Sequence, residues 1–299
     1  MYRFCFQLCL IIFLSFSFTN AQEINIENNT KFIKKKRKKK NKIKYPDIDL
    51  KNWSVTVPTE LSNGKPVVLN PPEIFNYNSD PRVNSYMYLD SLRGAIVFTA
   101  KPTNATTPNS KYSRSELREQ MVSGNNSINW SFKDGAIFKG KLSVDKVSRD
   151  SDGKYHRIII MQIHGRLSND QRDLIGQKDN NAPPILKIYW DKGKIRVKTK
   201  KLKDINTTYP EILDKNAWTD DNGFNFEQEV GFRKFNLEVR VSEGKMTVIL
   251  NNNEYKTYKG IHIDKWGVFE NYFKAGNYFQ TRDKDAFSKV SYFNLEAQH

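Results

Sequence analysis

Residues 186–199, LKIYWDKGKIRVKT, decide the fold. Leu186 to Trp190 and Ile195 to Thr199 are two short runs rich in strand formers, and Asp191-Lys192-Gly193-Lys194 between them is a tight-turn sequence. Such a pair predicts an antiparallel hairpin, because strand side chains alternate between faces and glycine supplies the backbone a short loop needs. The pattern returns at Leu237 to Val241 and Met246 to Leu250, joined by Ser242-Glu243-Gly244-Lys245. Strand-like alternation with turn residues begins at DIDLKNWSVTVP (47–58) and continues to the C-terminus. Helical periodicity is absent, apart from a possible single turn at Pro210 to Lys215, and no internal repeat is found. The pattern predicts an all-β fold of two stacked antiparallel sheets, a sandwich or jelly roll. Gly165 to Pro184 (GRLSNDQRDLIGQKDNNAPP) is polar and poor in strand formers, so it reads as a loop over a site.

The start of the chain reads differently from the rest. Arg3 precedes an apolar run from Phe4 to Phe16, and Ala21 follows Thr19-Asn20. That order is expected of a secretory signal peptide over 1–21, and no stretch is long enough for a membrane span. Both cysteines, Cys5 and Cys9, lie in this leader, so a mature chain has no disulfide. With four histidines and no cysteine left, a structural zinc site is excluded and no metal or other cofactor is expected. The net charge of +16 is concentrated: ten basic residues stand between Lys31 and Lys44 with no acid among them. Residues 22–46 therefore read as a solvated, disordered basic linker, and 47–299 as the folded domain. A charge run of this kind is no argument for nucleic-acid recognition. The expected location is outside the cytoplasm, extracellular or periplasmic, and a monomer is expected.

Three segments aim polar groups from one face. In IIIMQIHG (158–165), Gln162 and His164 are two apart and project together, while Ile163 points the other way. In RSELRE (114–119), Arg114, Glu116 and Arg118 share a face opposite Leu117. In YFKAGNYFQ (272–280), Tyr272, Lys274, Tyr278 and Gln280 share one, with Phe273, Ala275 and Phe279 inward. Each could be an ordinary half-exposed strand, and the arginine–glutamate alternation could be a salt-bridge ladder worth little. If the strands are neighbours, the outward sets build a polar, cationic groove.

Together, RSELR, QIH and YFKAGNYFQ, in this order, resemble the blocks that mark the alginate lyases of polysaccharide lyase family 7. The opening LKNWSVTVP (50–58) also resembles that family's first strand, so the likeness runs from about residue 47 to the end. Asn277 and Phe279 depart from the usual block at positions not expected to be catalytic. The resemblance implies a β-jelly roll whose concave face holds an acidic polysaccharide, alginate. It also implies β-elimination: the C5 proton of a uronate is removed and the C4–O4 bond breaks, leaving a 4,5-unsaturated end. Charge building on the enolate-like intermediate must be neutralised, which arginine and amide donors do well.

By this resemblance Arg114, Gln162 and His164 hold the carboxylate at the cleavage position, and Tyr278 gives a proton to the leaving O4. For mannuronate, Tyr278 can also take the C5 proton; for guluronate, neutral His164 is the better base, titrating near its ordinary range. Glu116 is expected to orient the arginines, while Arg118, Tyr272, Lys274 and Gln280 bind flanking sugars. Isoleucine at 163 goes, within the family, with a lean to guluronate-containing stretches, and endo action is expected. The competing readings are a non-catalytic polysaccharide-binding jelly roll and a lyase for another polyuronate such as glucuronan.

Overall fold

The computed structural model describes residues 42–107 and 110–299. The predicted leader and most of the basic segment, including Cys5 and Cys9, lie outside the described residues. The first strands are β1 (Asp47–Ile48), β2 (Trp53–Glu60), β3 (Pro66–Leu69), β4 (Met87–Asp90), β5 (Ala95–Ala100) and β6 (Arg114–Glu119). Next come β7 (Trp130–Ser131), β8 (Ala136–Val147), β9 (Ile158–Arg166), β10 (Asn181–Asp191), β11 (Lys194–Leu202) and β12 (Trp218–Asp220). The chain ends with β13 (Phe224–Glu229), β14 (Phe235–Ser242), β15 (Lys245–Leu250), β16 (Glu254–Lys259), β17 (Glu270–Phe279) and β18 (Ser288–Gln298). The α-helices among the described residues, α1 (Asn169–Leu174) and α2 (Ile261–Trp266), have six residues each. No helix among the described residues is long and apolar enough to cross a membrane.

Both predicted hairpins form. β10 and β11 pair from Leu186↔Thr199 to Asp191↔Lys194, and the loop residues Lys192 and Gly193 both have positive φ. That geometry matches the twist of the flanking strands, and glycine adopts it without strain. β14 and β15 pair from Leu237↔Leu250 to Ser242↔Lys245. The strands assemble into a ten-stranded sheet, whose main path runs β12-β11-β10-β9-β17-β6-β2-β3, and an eight-stranded sheet following β16-β15-β14-β8-β18-β5-β4. Pairing is antiparallel throughout, apart from β1 alongside β18.

The core lies between the sheets. Phe273 of β17 stacks on Phe138 of β8 with ring centroids 4.3 Å apart, and Trp53, Val55, Leu117 and Ile163 are buried with them. Each of these apolar residues neighbours a polar one pointing away from the core. Thus the hydrophobic alternation fixes which side chains reach the outer face of the ten-stranded sheet. The long predicted loop is shorter than its sequence suggests. Gly165 and Arg166 complete β9, 181–184 begin β10, and α1 occupies part of the span between them. Ser168 and Gln171 close a capping box at the start of α1, which satisfies backbone donors that would otherwise be orphaned.

One irregularity shapes the functional face. Between Ala275↔Met161 and Tyr278↔Ile159, β17 carries one residue more than β9. Gly276 stands there at φ 144°, and a Cβ on it would fall 2.5 Å from the Ser115 carbonyl oxygen. Only glycine lets the two backbones approach so closely. The Tyr292 hydroxyl, from β18 of the opposite sheet, bridges the gap by donating to the Ile160 carbonyl and accepting from Gly276 N–H. The register with β6 is unbroken, so Tyr278 stands opposite Arg114 on one side and, across the irregularity, opposite Ile159 on the other, while Lys274 stays opposite Gln162.

Candidate active site

β17 runs between β6 and β9, so the three polar blocks lie side by side. Cross-strand register sets their order: Arg118 faces Lys274, Lys274 faces Gln162, Tyr272 faces His164, and Tyr278 faces Arg114. A cavity of about 250 Å³ opens above them, lined by Thr56, Thr107, Arg114, Arg118, His164, Asn181, Tyr272 and Lys274. Among the described residues no cluster of three or more His, Cys, Asp or Glu could hold a metal ion.

Glu116 organises the floor. Its carboxylate, 1% exposed, accepts from Arg114 Nη1 at 3.0 Å and Gln162 Nε2 at 2.5 Å, and pairs with Lys274 Nζ at 2.5 Å. Burial alone would raise this carboxyl, but Lys274, Arg114 and Gln162 together hold it below the usual range. Lys274 is shifted down as well, which for an amine works against its charged form. Burial and the nearby Arg114 charge bring it down to about 8, against the opposing pull of Glu116. Glu116 does not reach both arginines as the sequence reading expects. Arg118 donates instead to the carbonyls of Glu119 and Asn126 and to Asn129 Oδ1, and lies 4.0 Å over the Tyr272 ring.

His164 stacks on Tyr272, with ring centroids 5.2 Å apart. Its Nδ1 is 3.0 Å from the Gly165 carbonyl oxygen. A carbonyl can only accept, so we assign the proton to Nδ1, which leaves Nε2 with the lone pair. The sequence reading expects a histidine titrating in its ordinary range. Burial, reinforced by the Lys274 charge, instead pushes it down to about 3. The imidazole is therefore a neutral proton acceptor at any working pH.

Tyr278 lies with the Arg114 guanidinium 4.0 Å over its ring. Arg114 Nε is buried and has no hydrogen-bond partner among the described residues, while Nη1 and Nη2 each keep a second N–H beyond those given to Glu116 and Ser110. Gln280 lies one residue beyond β17 and donates to the Tyr278 carbonyl, and it does not line the cavity. Four polar contributors escape the sequence reading: Ser110, Thr56, Thr107 and Asn181. Thr56 was readable as the outward residue of the WSVTVP strand, and it pairs opposite Glu116. Ser110, Thr107 and Asn181 belong to segments without strand periodicity, where no pattern says which way a side chain points.

The sequence profile of the alginate lyase family matches residues 48–299. A curated alginate lyase of Klebsiella pneumoniae is 26% identical over 300 residues, covering 84% of this chain and 89% of that one. The crystal structure of alginate lyase A1-II', a member of polysaccharide lyase family 7, superposes with a TM-score of 0.65 at 27% identity, over 84% of this chain and 96% of that one. A variant of the same lyase in complex with substrate (GGMG) gives a TM-score of 0.66 at 25% identity, over 84% and 94% of the two chains. With the fold, the three aligned blocks and a family match over nearly the whole described domain, the chain belongs to the alginate lyase family, polysaccharide lyase family 7.

Proposed function

We propose that this protein cleaves the 1,4-linkage of alginate by β-elimination, acting within the polymer and leaning to guluronate-containing stretches. The observation that carries this reading is the Glu116-centred knot, which gathers Arg114, Gln162 and Lys274 beside a neutral His164 and a Tyr278 hydroxyl. Arg114, through the second N–H of Nη1 and of Nη2, and the second N–H of Gln162 are the donors for the uronate carboxylate, with Lys274 adding charge. They stabilise the negative charge that builds as C5 loses its proton. His164 Nε2 takes that proton from guluronate, where it lies opposite O4. Tyr278 gives its own to O4, and for mannuronate it also serves as base. His164 donates nothing to the carboxylate in this tautomer, so its role narrows to proton acceptor. Arg118 and Tyr272 form one wall for a flanking sugar. We also infer secretion of a 47–299 domain behind a leader over 1–21 and a basic segment over 22–46.

Separate polyguluronate, polymannuronate and glucuronan test the substrate, and product size tests the mode. The expected result is faster release of unsaturated ends from polyguluronate, with early products of intermediate length. Exclusive release of single sugars contradicts endo action, and faster cleavage of polymannuronate or glucuronan contradicts the guluronate lean.

The pH dependence has a defined sign. Lys274 carries its charge below about pH 8 and loses it above. The kcat/KM on alginate, which reports the free enzyme, is therefore expected to fall as pH rises through about 8. No acid limb is expected in the ordinary histidine range, because His164 stays neutral down to about 3. A profile flat through pH 8, or one that falls with a midpoint of about 6.5, contradicts these assignments.

A further inference from the structure

Ser110 stands where Arg114 and Tyr278 meet. Its Oγ accepts from Arg114 Nη2 at 2.7 Å, lies 3.0 Å from Tyr278 Oη, and is within 3.0 Å of the Tyr112 carbonyl oxygen, to which it can donate. A serine hydroxyl has one hydrogen, so it cannot donate to both Tyr278 and Tyr112 at once. The two arrangements correspond to the two protonation states of the tyrosine. With Tyr278 protonated, the phenol donates to Ser110 Oγ and the serine hydrogen points to the Tyr112 carbonyl. With Tyr278 as phenolate, the serine hydrogen turns to the phenolate oxygen, and the Arg114 N–H on the same Oγ strengthens it as a donor.

We propose that Ser110 is a positioning residue for the tyrosine, a hydroxyl that reverses its hydrogen bond to hold the phenolate formed during elimination. The proposal rests on the assignment of Tyr278 as proton donor to O4. In that step the C4–O4 bond breaks with its electron pair on O4, and O4 takes the phenolic proton. The C5–H electrons become the C4–C5 double bond. Tyr278 is left as phenolate until it is reprotonated from solvent or, for mannuronate, it begins as phenolate and carries the C5 proton across. In either order the phenolate exists without a proton of its own beside Arg114, and the Ser110 O–H is the neutral donor within reach.

The test compares Ser110→Ala, Ser110→Thr and Tyr278→Phe on alginate, with kcat and KM measured separately. A hydrogen bond to a charged group is worth enough to lower kcat about 10- to 100-fold when lost. That loss is expected in Ser110→Ala, with KM little changed, and Ser110→Thr should restore most of it because the hydroxyl returns. In the Tyr278→Phe background, Ser110→Ala should lower the residual rate no further, since the partner is already gone. Wild-type kcat in Ser110→Ala, a loss confined to KM, or an equal loss in Ser110→Thr overturns the role of Ser110. A fully active Tyr278→Phe overturns the assignment of the tyrosine instead.

Discussion

Glu116→Gln is expected to lose about 3–5 kcal/mol of stability and at least about 100-fold in kcat/KM. The substitution keeps the shape of the side chain and removes its charge. Arg114 and Lys274 would then remain on a floor where the side-chain exposure is 13% and 10%, with no anion between them. Breaking a buried pair from one side is costly because the surviving charge stays desolvated. Lys274, already brought down to about 8, would be driven to give up its proton. Gln162, which now donates to Glu116, would face an amide that can present either end, so its own orientation would no longer be set. Urea unfolding should show the lower midpoint with an unchanged slope, since the folded and unfolded surfaces differ little from the parent's. An unfolding midpoint equal to that of the parent would show that the carboxylate does not hold these cations in place.

Tyr278→Phe is the complementary change, severe for chemistry and mild for the fold. It removes one oxygen, whose one hydrogen bond among the described residues is with Ser110 Oγ. The ring keeps Arg114 4.0 Å above it and Tyr112 against it at 6.3 Å. A proton transfer to a poor leaving group contributes about 10²–10⁴-fold, and the loss should fall on kcat with KM nearly unchanged. The stability cost should not exceed that of one hydrogen bond, about 0.5–1.5 kcal/mol. The contrast between the two variants separates the residue that organises the floor from the residue that moves the proton. If Tyr278→Phe lost stability on the scale of Glu116→Gln, the tyrosine would be a packing element.

The three polar blocks were legible because strand alternation is local. Two-residue spacing alone places Gln162 with His164, and Lys274 with Tyr278, on the polar face. What local pattern cannot give is the order β6-β17-β9, which is a matter of long-range pairing; nor can it give the extra residue near Gly276 that sets Tyr278 opposite Ile159 of β9. Glu116 illustrates the limit. Spacing put it between two arginines, yet its partners come from β9 and β17 as well as β6, and Arg118 turns to Asn126 and Asn129. By composition alone the span 165–184 reads as one loop. Its SNDQ start, Ser168 to Gln171, is a helix N-terminal signature that marks α1. Ser110 had no signal at all, since its contact with Tyr278 joins residues 168 apart on a stretch without periodicity.

The most direct test is to follow purified protein on alginate by two readings at once, chain length and the ultraviolet absorbance of a C4–C5 double bond. β-Elimination makes one unsaturated end for every linkage cut, so absorbance should rise in step with the fall in chain length. Shortening without new absorbance would mean hydrolysis, and no shortening would mean a groove that only binds. Either result would contradict the elimination assigned to Arg114, Gln162, His164 and Tyr278.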